Sequence, residues 1–402
     1  MNDAHPFDEA ASTPTEAPRS RATLVWLLLP LMALALATAW LVTADPLRSF
    51  DNGAPPVENL TFERTVLSQD GIDVLVRAGG SDPMIIAQAL VDDAYWEFVQ
   101  EPSGQLARGE TAWIQLPYPW VQGEAHVVTI ITSTGATFEH EIPVAVPTPV
   151  PTTGSLVSQA LLGAFVGIVP VAIGLMFYPA LRGVGRAGMN FLLAMTVGLL
   201  VFLMIDAAGE ALEIASEAAA IFQGRVMVVL AGAASFLLLM AVGRRSGTPA
   251  GFTLATFIAL GIGLHNLGEG LAIGAAFASG AAGLGTFLVL GFTIHNITEG
   301  IGIAAPMLKS RPALWVFPAL TLVAGGPAVL GLWIGSLAYA PQWSALALAI
   351  GAGAILQVVV EVTAYLMKAD GRGAVAFSSW PVLSGLAFGV VSMYATAMLV
   401  KI

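Results

Sequence analysis

The sequence predicts a mainly helical polytopic membrane protein: an eight-helix bundle, one further transmembrane helix ahead of it, and a small all-β domain of immunoglobulin-like sandwich type between the two. Three observations lead there. Hydrophobic residues fill 56% of the 402 positions and charged residues only 11%, with a mean hydropathy of +0.79, so most of the chain belongs in lipid rather than water. Apolar runs long enough to cross a bilayer recur along its length. One stretch, about residues 50–146, breaks the pattern with short alternating runs bounded by Gly, Pro, Asp and Ser.

Composition also excludes. There are no cysteines, which removes disulfides, thiolate metal sites and cysteine chemistry. The formal net charge of −11, from 27 Asp and Glu against 16 Lys and Arg, argues against nucleic acid as a partner and suits the attraction of cations.

Residues 1–21 are rich in Ala, Pro and acids and show no apolar period, a composition that cannot bury a core, and they read as a disordered cytoplasmic tail. Residues 22–43 carry no charge and follow Arg19 and Arg21. They read as an uncleaved anchor; a signal peptide is the alternative, although the apolar run is longer than an h-region. Within residues 50–146, runs such as Gly71–Arg77, Thr111–Leu116 and His126–Thr132 are β-branched and alternating, which predicts six or seven strands in an antiparallel sandwich. His126 and His140 lie in this region, where isolated histidines on strands are read as surface or core features rather than metal ligands. Residues 147–154 form a Pro-rich linker, expected to be a semi-rigid spacer.

Residues 155–402 hold eight apolar segments, near 156–180, 189–207, 224–243, 251–277, 284–307, 314–338, 343–367 and 379–400. Alternate connecting loops are basic: Arg182 and Arg186, Arg244 and Arg245, Lys309 and Arg311, Lys368 and Arg372. Those loops are expected to face the cytoplasm. The same rule keeps the N-terminal tail inside, sends the sandwich outside, and leaves the C-terminus outside.

The fourth and fifth segments repeat one pattern, Gly-x-x-x-His-Asn-x-x-Glu-Gly, thirty positions apart, at Gly261–Gly270 and Gly291–Gly300. Residues four apart share a helix face, so His265 stands over Glu269 and His295 over Glu299. Ionisable side chains at bilayer depth are costly and mark ion routes or relays. Two neutral imidazoles and two carboxylates balance one divalent cation. Their nitrogen and oxygen donors suit Zn²⁺ first, then Fe²⁺, Mn²⁺, Co²⁺ and Cd²⁺, whereas Ca²⁺ and Mg²⁺ prefer oxygen alone. Without sulfur the affinity should be moderate, as a carrier that must release its cargo requires. The plainer alternative is that these groups glue helices together by hydrogen bonds. Di-metal carboxylate bundles use Glu-x-x-His and zinc proteases His-Glu-x-x-His; neither order is present, so no enzyme is expected and the metal is cargo rather than cofactor.

These motifs resemble those of the ZIP (Zrt/Irt-like) metal transporters, whose fourth span carries His-Asn-x-Pro-Glu-Gly and whose fifth carries a related His-containing motif. The resemblance covers about residues 155–402. It implies a divalent-metal site between the fourth and fifth spans with His265, Asn266, Glu269, His295, Asn296 and Glu299 as ligands or near-ligands. It also implies uptake toward the cytoplasm by an elevator-like shift of the bundle that holds those helices. It admits a homodimer, of which the sequence itself carries no sign. This chain departs from the family pattern at three positions: Gly268 replaces the Pro, Asn296 a frequent acid, and Gly326 a glutamate of the sixth span. Those departures imply one main metal rather than a binuclear centre. The loop at 243–250 has no histidine cluster.

Asp206 and Glu210 share a face at the outer end of the second segment, and Gln357 and Glu361 share one toward the inner end of the seventh; all four are candidates for the transport path. The expected function is a divalent-metal transporter of a cell (inner) membrane, with lipid and the metal as partners. A metal-responsive receptor that binds without flux is the second reading.

Overall fold

The computed structural model describes residues 21–44, 57–148, 150, 152–245, 247–278, 282–338, 340–370 and 378–400. The expected disordered tail up to residue 20, with Arg19, and Arg372 lie outside these residues. Helix α1 (Arg21–Ala44) has 24 residues and contains the apolar stretch Leu28–Leu41. It belongs to a compact unit that ends at Pro55, and the remainder of the chain forms a second unit.

The second unit begins with eight strands: β1 (Leu60–Ser68), β2 (Gly71–Ala78), β3 (Ile86–Val91), β4 (Ala94–Trp96), β5 (Val99–Glu101), β6 (Thr111–Leu116), β7 (His126–Thr132) and β8 (Thr137–Ile142). They pair as two four-stranded sheets, β1-β2-β6-β5 and β4-β3-β7-β8, every pairing antiparallel. That strand order matches the ABED and CFG sheets of an immunoglobulin constant-type domain, with one strand added beside C. Eight strands replace the six or seven expected because β4 and β5 have three residues each, too few for alternation to register. Ile72, Val74 and Val76 of β2 point inward and meet Ile114, Leu116, Val128 and Ile130 in one buried cluster. The β1–β2 register slips between Phe62 and Arg64. A bulge of this kind re-aims the side chain it frees, here Glu63.

Eight helical stretches then follow that are long and apolar enough to cross a membrane. The first combines α2 (Thr153–Gly163), a π-helical turn (Ala164–Ile168), α3 (Val169–Met176) and α4 (Tyr178–Leu181). The second is α5 (Arg186–Glu217) and the third α6 (Gly224–Gly243), joined through a short turn at 220–222; the fourth and fifth are α7 (Gly251–Ala278) and α8 (Ala282–Ala304). The sixth is broken into α9 (Val316–Gly325) and α10 (Pro327–Ala338), and α11 (Pro341–Asp370) and α12 (Trp380–Val400) complete the set. Both interruptions have a cause in the sequence. Proline lacks the N–H that would bond to the carbonyl four residues back, so Pro170 leaves the Val166 carbonyl, and Pro327 the Val323 carbonyl, without an α-helical donor.

Glycines set how closely these helices approach. A Cβ on Gly174 would fall 2.1 Å from the Ile297 carbonyl, and one on Gly270 2.2 Å from the Ala328 carbonyl, so α3 meets α8, and α7 meets α10, backbone to backbone. A Cβ on Gly167 would lie 2.3 Å from the Gly325 carbonyl, which locks the first and sixth spans together. A second set is bound in the same way: Gly389 of α12 against the Met195 carbonyl of α5 at 2.2 Å, and Gly353 of α11 against the Gly232 carbonyl of α6 at 2.1 Å. Between the two sets, the atoms nearest Gly261, Gly268 and Gly302 are side chains of Val358, Leu348 and Thr196.

The described ends of the Pro-rich stretch are held by hydrogen bonds. The Thr148 N–H donates to the Leu67 carbonyl at 2.9 Å, its hydroxyl accepts from the Leu67 N–H at 2.8 Å, and Thr152 caps α2 by accepting from the Ser155 N–H at 3.1 Å. The sandwich docks directly on the bundle. The Arg77 guanidinium lies over the Phe222 ring at 5.2 Å, and Gln342 at the start of α11 donates to Glu63 at 3.4 Å. Phe222, in the α5–α6 connection, and Gln342, in the first turn of α11, stand at the helix ends opposite Arg186, Arg244 and Lys368.

Candidate metal centre

Helices α7 and α8 are unbroken through both motifs, so the i, i+4 geometry expected from the spacing is realised: Glu269 Oε1 lies 3.2 Å from His265 Nε2 on its own helix. The same oxygen lies 2.6 Å from His295 Nε2 on α8. Glu269 is thus wedged between the two imidazoles. One ligand atom each from His265, His295 and Glu299 falls within 4.8 Å of the others. All six motif residues are buried, Asn266 and Asn296 completely.

The asparagines hold neighbouring backbone. Asn296 donates to the Val166 carbonyl at 3.1 Å and to Glu269 Oε2 at 3.3 Å, while Asn266 donates to the Ala324 carbonyl at 3.0 Å. Val166 is the acceptor released by Pro170, and Ala324 precedes the break between α9 and α10. The motif therefore reads the two irregular turns of the first and sixth spans. A π-turn beside a site of this kind is a recurrent arrangement.

With their amino groups committed, both asparagines leave Oδ1 without a hydrogen bond, as do both Glu299 oxygens and His265 Nδ1, while His265 Nε2 keeps its 3.2 Å contact with Glu269 Oε1. A buried polar group left without a hydrogen bond costs about 1–3 kcal/mol, and the ligand atoms of His265, His295 and Glu299, within 4.8 Å of one another, suit a partner that accepts several lone pairs at once. A cation does so, and the donor set, imidazole nitrogen with carboxylate and amide oxygen, matches borderline divalent ions. Hydrogen bonds between helices account for part of the set, since His295 meets Glu269, Asn266 the Ala324 carbonyl and Asn296 the Val166 carbonyl. Gly268 leaves no gap in α7; a Cβ there would strike Leu348 Cδ2 at 2.4 Å, so the position is reserved for the side chain of α11. No protein-family model matches this chain, and no curated protein matches it. The chemistry of the site rests on its geometry.

The remaining candidates separate. Glu210 lies within electrostatic reach of His265 and Glu269, whereas Asp206, one turn earlier, is exposed. Gln357 and Glu361 are fully buried: Glu361 accepts from Arg244 Nε at 2.8 Å and keeps Oε2 without a hydrogen bond, and Gln357 faces Gly243 with both amide atoms unbonded. In the sandwich, His126 is no free ligand. Its Nε2 accepts from the Val121 N–H at 3.3 Å, which puts the proton on Nδ1, and Nδ1 donates to Asp92 Oδ2 at 2.7 Å. His140 stacks on Phe62 and shares a 2.9 Å hydrogen bond with Thr65; burial pushes its imidazole below the usual histidine range. Sequence reasoning passed over Arg77, Glu63 and Gln342, which fasten the sandwich, and the only sequence signal for them is Arg77 and Glu63 on strands that pair.

Proposed function

We propose that this protein is a divalent transition-metal transporter of ZIP type, multi-pass in a cell membrane. It carries Zn²⁺, or a related ion such as Mn²⁺ or Fe²⁺, toward the cytoplasm through the site made by His265, His295 and Glu299, with Glu269 between the imidazoles. The observation that carries this reading is the buried group of ligand atoms from His265, His295 and Glu299 among apolar spans, with both Glu299 oxygens left without hydrogen bonds. The basic loops at Arg182 and Arg186, Arg244 and Arg245, and Lys309 and Arg311 face the cytoplasm, and the sandwich, docked at the other helix ends, faces outward.

Movement follows from the packing. The first, fourth, fifth and sixth spans interlock through glycine and through the two asparagine bonds, and they travel as one piece. The second, third, seventh and eighth interlock separately. The seam between the two sets is met by side chains at Gly261, Gly268 and Gly302 and by backbone at Gly351, whose Cβ would lie 3.0 Å from the Leu264 carbonyl, and displacement of the first set along it carries the ion from one face to the other. Glu269 releases the imidazoles to the arriving cation and contributes its own charge.

The test is uptake of radiolabelled Zn²⁺ and Mn²⁺ by proteoliposomes holding the full chain. Wild-type flux is expected, with Glu299→Ala and Glu269→Ala each losing at least about tenfold in affinity or rate, as loss of a ligand or of its supporting partner does. Tight binding without flux in sealed vesicles would overturn transport in favour of a receptor, and flux indifferent to both substitutions would overturn the site.

A further inference from the structure

Between the sandwich and the bundle lies a cavity of about 810 Å³. One wall is made by β1 and β8, the other by α5, α7, α8, α10 and α11. It reaches Gly268, the residue before Glu269, and it includes Glu210, which lies within electrostatic reach of His265. The chamber thus runs from the β-sheet to the edge of the metal centre.

Its charge is lopsided. Glu141 of β8 and Glu210 and Glu217 of α5 line it, together with Arg64 and with Glu63, whose charge Arg77 compensates. His140 also faces it with its depressed basicity, so at neutral pH it adds a lone pair rather than a positive charge. A cleft with an excess of one sign of charge concentrates counter-ions. The walls are held in place by Arg77 on Phe222 and by Gln342 on Glu63.

We propose that the β-sandwich is one wall of a cation-collecting vestibule. In it His140 and Glu141, with Glu217 of the bundle, gather divalent cations and deliver them past Glu210 to the edge of the site at Gly268. The role of this domain is then electrostatic supply to the membrane site rather than adhesion. The inference rests on the transporter reading for its destination, but the vestibule itself can be tested without flux.

The chain has no cysteine, so Ala275→Cys, on the α7 wall, provides a single thiol for labelling in the full-length protein. Methanethiosulfonate reagents of opposite charge and similar size are compared. The cationic reagent is expected to react at least about tenfold faster than the anionic one, the lower end of electrostatic focusing in charged clefts. That ratio should fall severalfold in Glu141→Gln with Glu217→Gln, and rise in Arg64→Gln. Millimolar Mn²⁺ should slow the cationic reagent. A ratio near one, or a ratio unmoved by either charge change, overturns the proposal. If the ratio behaves as expected while proteoliposomes show no uptake, the transport reading falls and the vestibule stands; uptake with no labelling preference does the reverse.

Discussion

Arg77 is the side chain through which the sandwich is most exposed to a single change. Its Nε and Nη2 grip Glu63 at 2.5 and 3.0 Å, its Nη1 donates to the Gly109 carbonyl at 2.6 Å, and its face covers Phe222. The Glu63 side chain is 4% exposed and that of Arg77 20%, so the pair is shielded from water. Arg77→Ala leaves a buried carboxylate with only the Gln342 amide for company. Breaking a buried pair costs about 3–5 kcal/mol, and the residual donor argues for the lower figure. About 3 kcal/mol corresponds to roughly a hundredfold shift in an opening equilibrium, at about 1.4 kcal/mol per factor of ten. Hydrogen exchange by mass spectrometry on the detergent-solubilised chain should therefore show β2 and the Gly109–Glu110 turn exchanging faster by about that factor. The double variant Arg77→Met with Glu63→Leu removes both charges and should recover most of the protection. Exchange unchanged in Arg77→Ala, or a double variant as damaged as the single one, would refute the desolvated-pair argument.

Gly300→Ala should lower the thermal unfolding temperature and abolish cation binding, because its Cβ would sit 2.4 Å from the Val171 carbonyl and force α3 from α8; Gly209→Ala, which meets nothing within 4 Å, should be neutral or gain about 0.4–1 kcal/mol. For Asp92, burial opposes ionisation, but hydrogen bonds from His126, Val127 and Tyr118 outweigh it and hold the carboxyl below the usual range. A folded value below the unfolded one means stabilisation that is complete above about pH 4 and lost as the pH falls through the folded value, so Asp92→Asn should flatten the acid limb of a stability-versus-pH curve. Arg244→Ala should destabilise the bundle in thermal scans by leaving Glu361, 0% exposed, without its counter-charge, and Glu361→Gln in the same background should restore it.

What could be read from the chain was what is local. The fit of His265 over Glu269 needs only the helical repeat, and the alternation of Ile72, Val74 and Val76 needs only the pleat; both were visible in one dimension. That Glu269 bridges to His295, or that Asn266 and Asn296 reach Ala324 and Val166, depends on which helices become neighbours, and no spacing encodes that. Residues 156–180 and 314–338 read as continuous spans, and the effect of Pro170 and Pro327, a freed carbonyl and a broken turn beside the motif, appears only once the spans are packed. The attachment of the sandwich was hidden for a different reason. The Pro-rich stretch carries no sign of a docked domain, and Thr148, Arg77 and Gln342 bind across distances in sequence that composition does not register.

The two asparagine bonds carry a lesson for engineering. Because each motif takes its acceptor from a kinked turn on another segment, copying residues 261–270 and 291–300 onto a straight-helix host would transfer the donor atoms and lose their orientation. A working transplant has to bring the distorted stretches around Pro170 and Pro327 with it, four pieces of chain instead of two.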